Sequence, residues 1–225
     1  MSYNIIEDDN SLFIEILSFI QTIYPYYNKN KLEDNYSNIK YSIQMIQKSL
    51  NNVISNKDLL KVIIFDTLIG NSDRHHSNLA VIAKGTSYKE NEIYNIKFEY
   101  KLSPLYDNGS SLCSYVNEED INTILKDKMK FESLINTKSK SAIGYENERP
   151  IRHFDLLQKI KDNYYDDTIK IVTKIRDNIN ENSVDKILNE FDSTILSEDM
   201  KKLLKIYLLE RRKRILDIYD LKDEV

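Results

Sequence analysis

No glycine precedes Gly70 in this chain of 225 residues, and only Gly85, Gly109 and Gly144 follow it. Glycine is the residue that lets a backbone turn tightly and approach a phosphate closely. Residues 1–69 therefore exclude a glycine-rich phosphate loop, and the patterning they carry instead is helical. Leu12, Phe13, Ile16, Leu17, Phe19, Ile20 and Ile23 recur at helical spacing and stop before Pro25, while Ile39, Ile43, Ile46 and Leu50 form a second stripe. Asn56-Lys57-Asp58 makes a break, with Asn56 or Asp58 as the expected N-cap of the next helix. That helix carries Leu59-Leu60, Val62-Ile63-Ile64-Phe65 and Leu68-Ile69 and is expected to stop at Gly70.

The residue types that follow Gly70 point to phosphoryl chemistry. Asp73-Arg74-His75-His76-Ser77-Asn78 supplies an acid and, five positions later, an amide; Leu105-Tyr106-Asp107-Asn108-Gly109 supplies a second acid before a glycine. Protein kinases carry Asp and Asn at that separation in the catalytic loop, and another Asp before a glycine further on. A phosphoryl group in flight spreads its charge over its oxygens, so catalysis is mostly positioning and electrostatic neutralisation. Mg²⁺ prefers hard oxygen donors and takes one or two carboxylates alongside phosphates and waters. On this reading Asn78 and Asp107 hold Mg²⁺ with ATP, and Asp73 orients the attacking hydroxyl and accepts its proton. Each residue alone could be a turn or cap residue; the three in order carry the reading. Leu79-Ala80-Val81-Ile82-Ala83 and the alternating run Ile93, Tyr94, Ile96, Phe98, Tyr100, Leu102 are expected to pair as a β-hairpin, bringing Asn78 beside Asp107.

The segments from Phe65 to Asn78 and from Leu102 to Leu112 resemble the C-terminal lobe of the HipA-like serine/threonine kinases. Lys140-Ser141-Ala142-Ile143-Gly144-Tyr145 and Arg149-Pro150-Ile151-Arg152-His153-Phe154 resemble a further stretch of that family. The resemblance implies a kinase-like fold in which Asp73 is the catalytic Asp, Asn78 and Asp107 bind metal, and Arg74 and His75 support the catalytic loop, His75 by bracing it. It also implies ATP and Mg²⁺ as cofactors, a protein substrate and, because several members are toxins, a toxin–antitoxin setting with an antitoxin partner. A complete kinase has a β-rich lobe with a phosphate-covering loop and a Lys before the catalytic loop, for which residues 1–69 leave no room. The expected fold is therefore mainly α with a small β-hairpin, a kinase-like C-lobe lacking its N-terminal lobe. Residues 1–58 form its leading helices, 59–112 its catalytic and metal-binding loops and 113–225 a helical remainder, all in one domain.

Composition agrees with a single soluble domain. Charged residues make up 30% of the chain, and no apolar run reaches the length of a membrane span. The start Met1-Ser2-Tyr3-Asn4 lacks the basic region of a signal peptide. One cysteine, Cys113, excludes an intramolecular disulfide and suits a reducing cytoplasm. The net charge of −4 argues against broad attraction to nucleic acid or anionic membranes. The Arg211-Arg212-Lys213-Arg214 block, with Lys201, Lys202 and Lys205, is expected on the solvated face of a C-terminal helix. Arg74, Lys138, Lys140, Arg149 and Arg152 each read singly as surface cations; as a set, Lys140, Arg149 and Arg152 could contact phosphate or an acidic substrate segment. Ser139-Lys140-Ser141 reads as a polar loop, with autophosphorylation as the less common alternative. His153 is expected to pack near a helix start, and Asp166-Asp167 to cap or begin one.

Three readings follow. The first is a serine/threonine kinase lobe that works with an N-lobe supplied by another chain, favoured by the intact set Asp73, Asn78 and Asp107. The second is a non-catalytic pseudokinase or kinase-derived binding module, favoured by the missing phosphate loop and Lys. A phosphoinositide-type lipid kinase fragment ranks third, because the acidic balance and the segment after Lys140 favour protein over lipid.

Overall fold

The computed structural model describes residues 11–223; the Met1–Asn4 start lies outside them. The molecule is organised around the helix that leads into the polar loop. This helix, α3 (Asn56–Ile69), is apolar nearly all round and buries nine of its fourteen residues, as a helix covered on both sides must. Leu59, Leu60, Val62 and Ile63 join one core with α1 (Ile16–Ile23) and α2 (Ile43–Ser49). Ile64 and Leu68 join a second core formed mainly by the C-terminal helices. The start of α3 is capped by the Ser55 hydroxyl, which accepts the Lys57 N–H at 3.2 Å, and not by Asn56 or Asp58. Its end is as the sequence predicts: Gly70 has φ +70°, the left-handed conformation of a helix terminus.

The expected hairpin forms between β4 (Ala80–Glu90) and β5 (Ile93–Leu102), antiparallel with Val81 opposite Leu102. It is one strand short of the whole sheet. Ser11–Glu15, expected as the start of a helix, is instead a strand, β1, which pairs with β4 from Ser11↔Lys84 to Glu15↔Ala80. Helix α1 begins only at Ile16. The reason is tertiary: an unpaired β4 would leave its backbone donors and acceptors open on that edge, and the apolar run Leu12-Phe13-Ile14, with an aromatic and a β-branched residue, serves a strand as well as a helix. Ile39 likewise falls outside α2; its carbonyl accepts the Asp34 N–H at 2.8 Å in the turn after β2 (Tyr27–Asn28) and β3 (Glu33–Asp34).

Beyond the sheet come α4 (Glu118–Lys126), α5 (Lys128–Glu132) and a π-helical turn, Ser133–Thr137, followed by the short pair β6 (Lys140–Ser141) and β7 (Ile151–Arg152). The long α6 (His153–Asn178) is kinked at Tyr164, so Asp166 and Asp167 begin its second half; α7 (Glu181–Leu188) and α8 (Glu198–Ile218) complete the chain. Among the described residues, no helix is long and apolar enough to cross a membrane.

The basic block of α8 is a structural tie and not a solvated face. Arg211 is fully buried, donates to Thr67 O at 2.7 Å, Ile135 O at 2.6 Å and Ser139 Oγ at 2.9 Å, and lies over the rings of Phe154 and Tyr207. Arg212 pairs with Asp223 and donates to Arg176 O, and Arg214 grips Glu132 and Glu210; Lys213 alone in the block is exposed. Ser139 and Ser141 are buried as well, with Ser141 Oγ accepting the Ile143 N–H at 3.1 Å, so this segment is not an open polar loop.

Candidate active site

Two loops at the C-terminal end of α3 carry the predicted residues, residues 71–78 directly after the helix and residues 103–112 after β5. The Asp66 carbonyl, in the last turn of α3, accepts the N–H groups of both Gly70 and Asn71, so the chain leaves the helix in a fixed direction. The buried Asn71 side chain then links back and forward: its Nδ2 donates to Asp66 Oδ1 at 3.2 Å, and its Oδ1 accepts the Asp73 N–H at 3.1 Å.

Arg74 holds the two loops together. It is 1% exposed, so it is not a surface cation. Its guanidinium forks onto the Asp66 carboxylate, Nε to Oδ2 at 3.0 Å and Nη2 to Oδ1 at 2.9 Å. The remaining donors cross the site: Nη1 donates to Asn78 O at 2.9 Å and Tyr106 O at 2.8 Å, and Nη2 to Asn108 Oδ1 at 2.5 Å. The backbones next to Asn78 and Asp107 therefore share one guanidinium nitrogen, the juxtaposition expected of the hairpin. The Tyr106 hydroxyl adds a second crossing by donating to Ser77 O at 2.7 Å. Burial pushes that phenol up to about 12, which keeps it a donor.

The three predicted functional side chains are left with their oxygens available. Asn78 Nδ2 donates to Asp73 O at 2.8 Å, committing the amide nitrogen and leaving Oδ1 without a hydrogen bond among the described residues. The Asp107 carboxylate is exposed and makes no hydrogen bond or ion pair among the described residues. Its φ of +49° is one that Asp tolerates better than most residues. The Asp73 carboxylate is half exposed, with His75 Nε2 3.7 Å away. One amide oxygen and one carboxylate, both unpaired and carried on tied loops, are a donor set that fits Mg²⁺ together with phosphate oxygens and water.

The two histidines divide their work. His75 is partly exposed and accepts the Ser77 N–H at Nδ1, a contact local to the loop. His76 is the buried ring, 3.2 Å from the Tyr27 hydroxyl through Nδ1 and edge-on to Tyr27 and Tyr41. Burial lowers its pKa to about 4, so it is neutral at physiological pH.

Among the described residues, the cations suggested for phosphate or substrate contact make no hydrogen bond or ion pair with these loops. Lys140 and Arg152 face each other across β6–β7, Arg152 is paired with Asp155, and Arg149 donates to Ala142 O while its charge acts on Tyr27 and Tyr41. Sequence reasoning gave no role to Asp66, Asn71, Tyr106 or Asn108, which hold the loops. An acid in an otherwise apolar helix is the signal that was available for Asp66, since such a residue is buried only with a partner.

No protein-family profile matches the chain. It is similar to the serine/threonine-protein kinase CtkA of Helicobacter pylori (strain J99), with 26% identity over 157 residues, which takes in 69% of this chain and 43% of that protein. The match thus spans less than half the length of the relative. The fold is similar to the crystal structure of the Helicobacter pylori proinflammatory kinase CtkA, with a TM-score of 0.69 and 20% identity, over 93% of this chain and 67% of that one.

Proposed function

We propose that this chain is the catalytic lobe of a serine/threonine protein kinase that transfers the γ-phosphoryl group of ATP to a protein hydroxyl. The observation that carries the reading is the pair of free oxygen donors, Asn78 Oδ1 and the Asp107 carboxylate, on loops clasped by one buried Arg74 beside the open Asp73 carboxylate. Similarity to a protein named as a serine/threonine kinase supports it. Asn78 and Asp107 would hold Mg²⁺, which when bound neutralises charge on the phosphates. Asp73 accepts the hydroxyl proton as the hydroxyl oxygen bonds to phosphorus and the bond to the ADP oxygen breaks. The Asp73 N–H, held by Asn71, and its carbonyl, held by Asn78, fix the backbone from which that carboxylate projects.

Covering the nucleotide falls to a lobe outside these residues, which the sequence reading places on a separate polypeptide. Support comes from the sheet. Leu12 of β1 and Tyr94, Ile96, Phe98 and Tyr100 of β5 project from one side of the sheet and are all exposed, and an apolar stripe of that length is what a partner domain covers. The alternative is a kinase-derived binding module, favoured by the exposure of Asp107 in a chain with no glycine-rich loop before Gly70. Phosphoryl transfer from labelled ATP, by the chain alone and with candidate N-lobe polypeptides, separates them. Transfer that falls at least 100-fold in Asp73→Asn, with the melting temperature kept, supports the kinase; absence of both transfer and ATP binding in every mixture supports the module.

A further inference from the structure

We infer that Asp66 is the positioning residue of this site, setting through Arg74 the spacing between the two loops that carry the metal donors. The inference rests on the proposed Mg²⁺–ATP site and adds to it a residue that touches neither ligand. Asp66 is 2% exposed and sits in the last turn of the most buried helix of the fold, so its own position is determined by packing in two cores. Both its carboxylate oxygens are used, one by Arg74 Nε and the other by Arg74 Nη2 and Asn71 Nδ2. A bidentate fork fixes the plane and direction of a guanidinium as well as its location. With that plane fixed, the outward edge of the guanidinium has one place to put its donors, and there it meets Asn78 O, Tyr106 O and Asn108 Oδ1. Those three acceptors are Asn78 itself and the two neighbours of Asp107. The chain of contacts thus runs from a rigid helix, through one planar cation, to the backbone under each metal donor.

Among the described residues, no other contact does the same. Ser72 N–H to Ser110 O at 3.3 Å and Leu112 N–H to Ile69 O at 2.9 Å hold the far side of the second loop, after Gly109. The Tyr106–Ser77 bond joins the loops to each other but not to α3. Burial raises the Asp66 carboxyl above its ordinary range against the pull of Arg74 and Asn71, which adds to the reasons for pairing it with a fork and not a single point charge.

The test uses Asp66→Asn, which keeps the shape and loses the charge, and Arg74→Lys, which keeps the charge and loses the fork. The first readout needs no ligand: amide hydrogen exchange of the whole chain. The expected result is faster exchange by at least tenfold in residues 73–78 and 106–108, with the α3 amides as slow as in the wild type. The second is the Mg²⁺ concentration for half of the ATP-induced rise in melting temperature, with Asp107→Ala as the variant lacking a metal donor. A rise of tenfold or more in both clasp variants supports the inference, since a merely structural role would lower the melting temperature without moving that midpoint. Unchanged loop exchange and an unchanged Mg²⁺ midpoint in Arg74→Lys overturn it, even where Asp66→Asn does not fold, and leave the site reading standing. A wild type that shows no Mg²⁺-dependent shift, alone or with any candidate N-lobe, overturns the site reading, and the positioning role with it.

Discussion

Arg74 and His76 lie among the residues proposed to carry chemistry, yet both are spent on structure, and each leaves a measurable trace. Removing the Arg74 partner by Asp66→Ala strands a buried charge, so a loss of about 3–5 kcal/mol in urea unfolding is expected. His76 acts through pH. Its folded pKa of about 4 lies below the ordinary 6.5 because the ring is buried. An unfolded chain takes up a proton there below about pH 6.5 that the folded chain refuses until about pH 4. The contribution is therefore whole above pH 6.5 and is lost as the pH falls towards 4. His76 should account for roughly 2 kcal/mol of lost stability between pH 7 and 5, and His153, buried and lowered for the same cause, adds a slope of the same sign. His76→Gln should flatten the curve by the His76 share; an unchanged slope would mean that His76 already titrates normally in the folded chain. Asp73, Asn78 and Asp107 could be proposed from the sequence because phosphoryl chemistry calls for those types in that order. For Arg74 the family resemblance implied loop support, but its burial was not legible, because an arginine reads the same in sequence whether water or an aspartate eight residues earlier satisfies it.

At the scale of elements, α3, its stop at Gly70 and the β4–β5 pairing could be read directly, since each is encoded by residues adjacent in the chain. Strand β1 could not. Leu12 to Ile23 satisfies helical spacing, and only the open edge of β4, some seventy residues later, decides that its first third is extended. The basic block of α8 misled for a similar reason: charge patterning describes a face without saying what meets it. Arg211 caps the carbonyl end of α3 by donating to Thr67 O, and it also satisfies Ile135 O. Arg211→Met should keep the apolar contact with Phe154 and Tyr207 but leave both carbonyls unpaired, for a loss of about 2–4 kcal/mol by denaturant unfolding. A change under about 0.5 kcal/mol would mean that water replaces the arginine.

For the whole molecule, the uncovered sheet side is the feature with the largest consequence in solution. Ile96 is 65% and Phe98 43% exposed, on the same side of β5. Replacing both by Thr keeps strand propensity and should leave the melting temperature within about 2 °C, because little packing is lost. The same change should weaken capture of an added N-lobe; unaltered capture would argue against this side as a contact surface. The Arg211 tie also has a consequence for how the protein is made. Its partner Thr67 lies 144 residues earlier, and at roughly 5–20 residues per second a ribosome needs on the order of ten seconds to cross that interval. Throughout it, the helix that leads into the candidate loops emerges with its Thr67 carbonyl still without the Arg211 donor. The nascent chain can therefore assemble the loops early, but it completes the support beneath them only when synthesis is almost over.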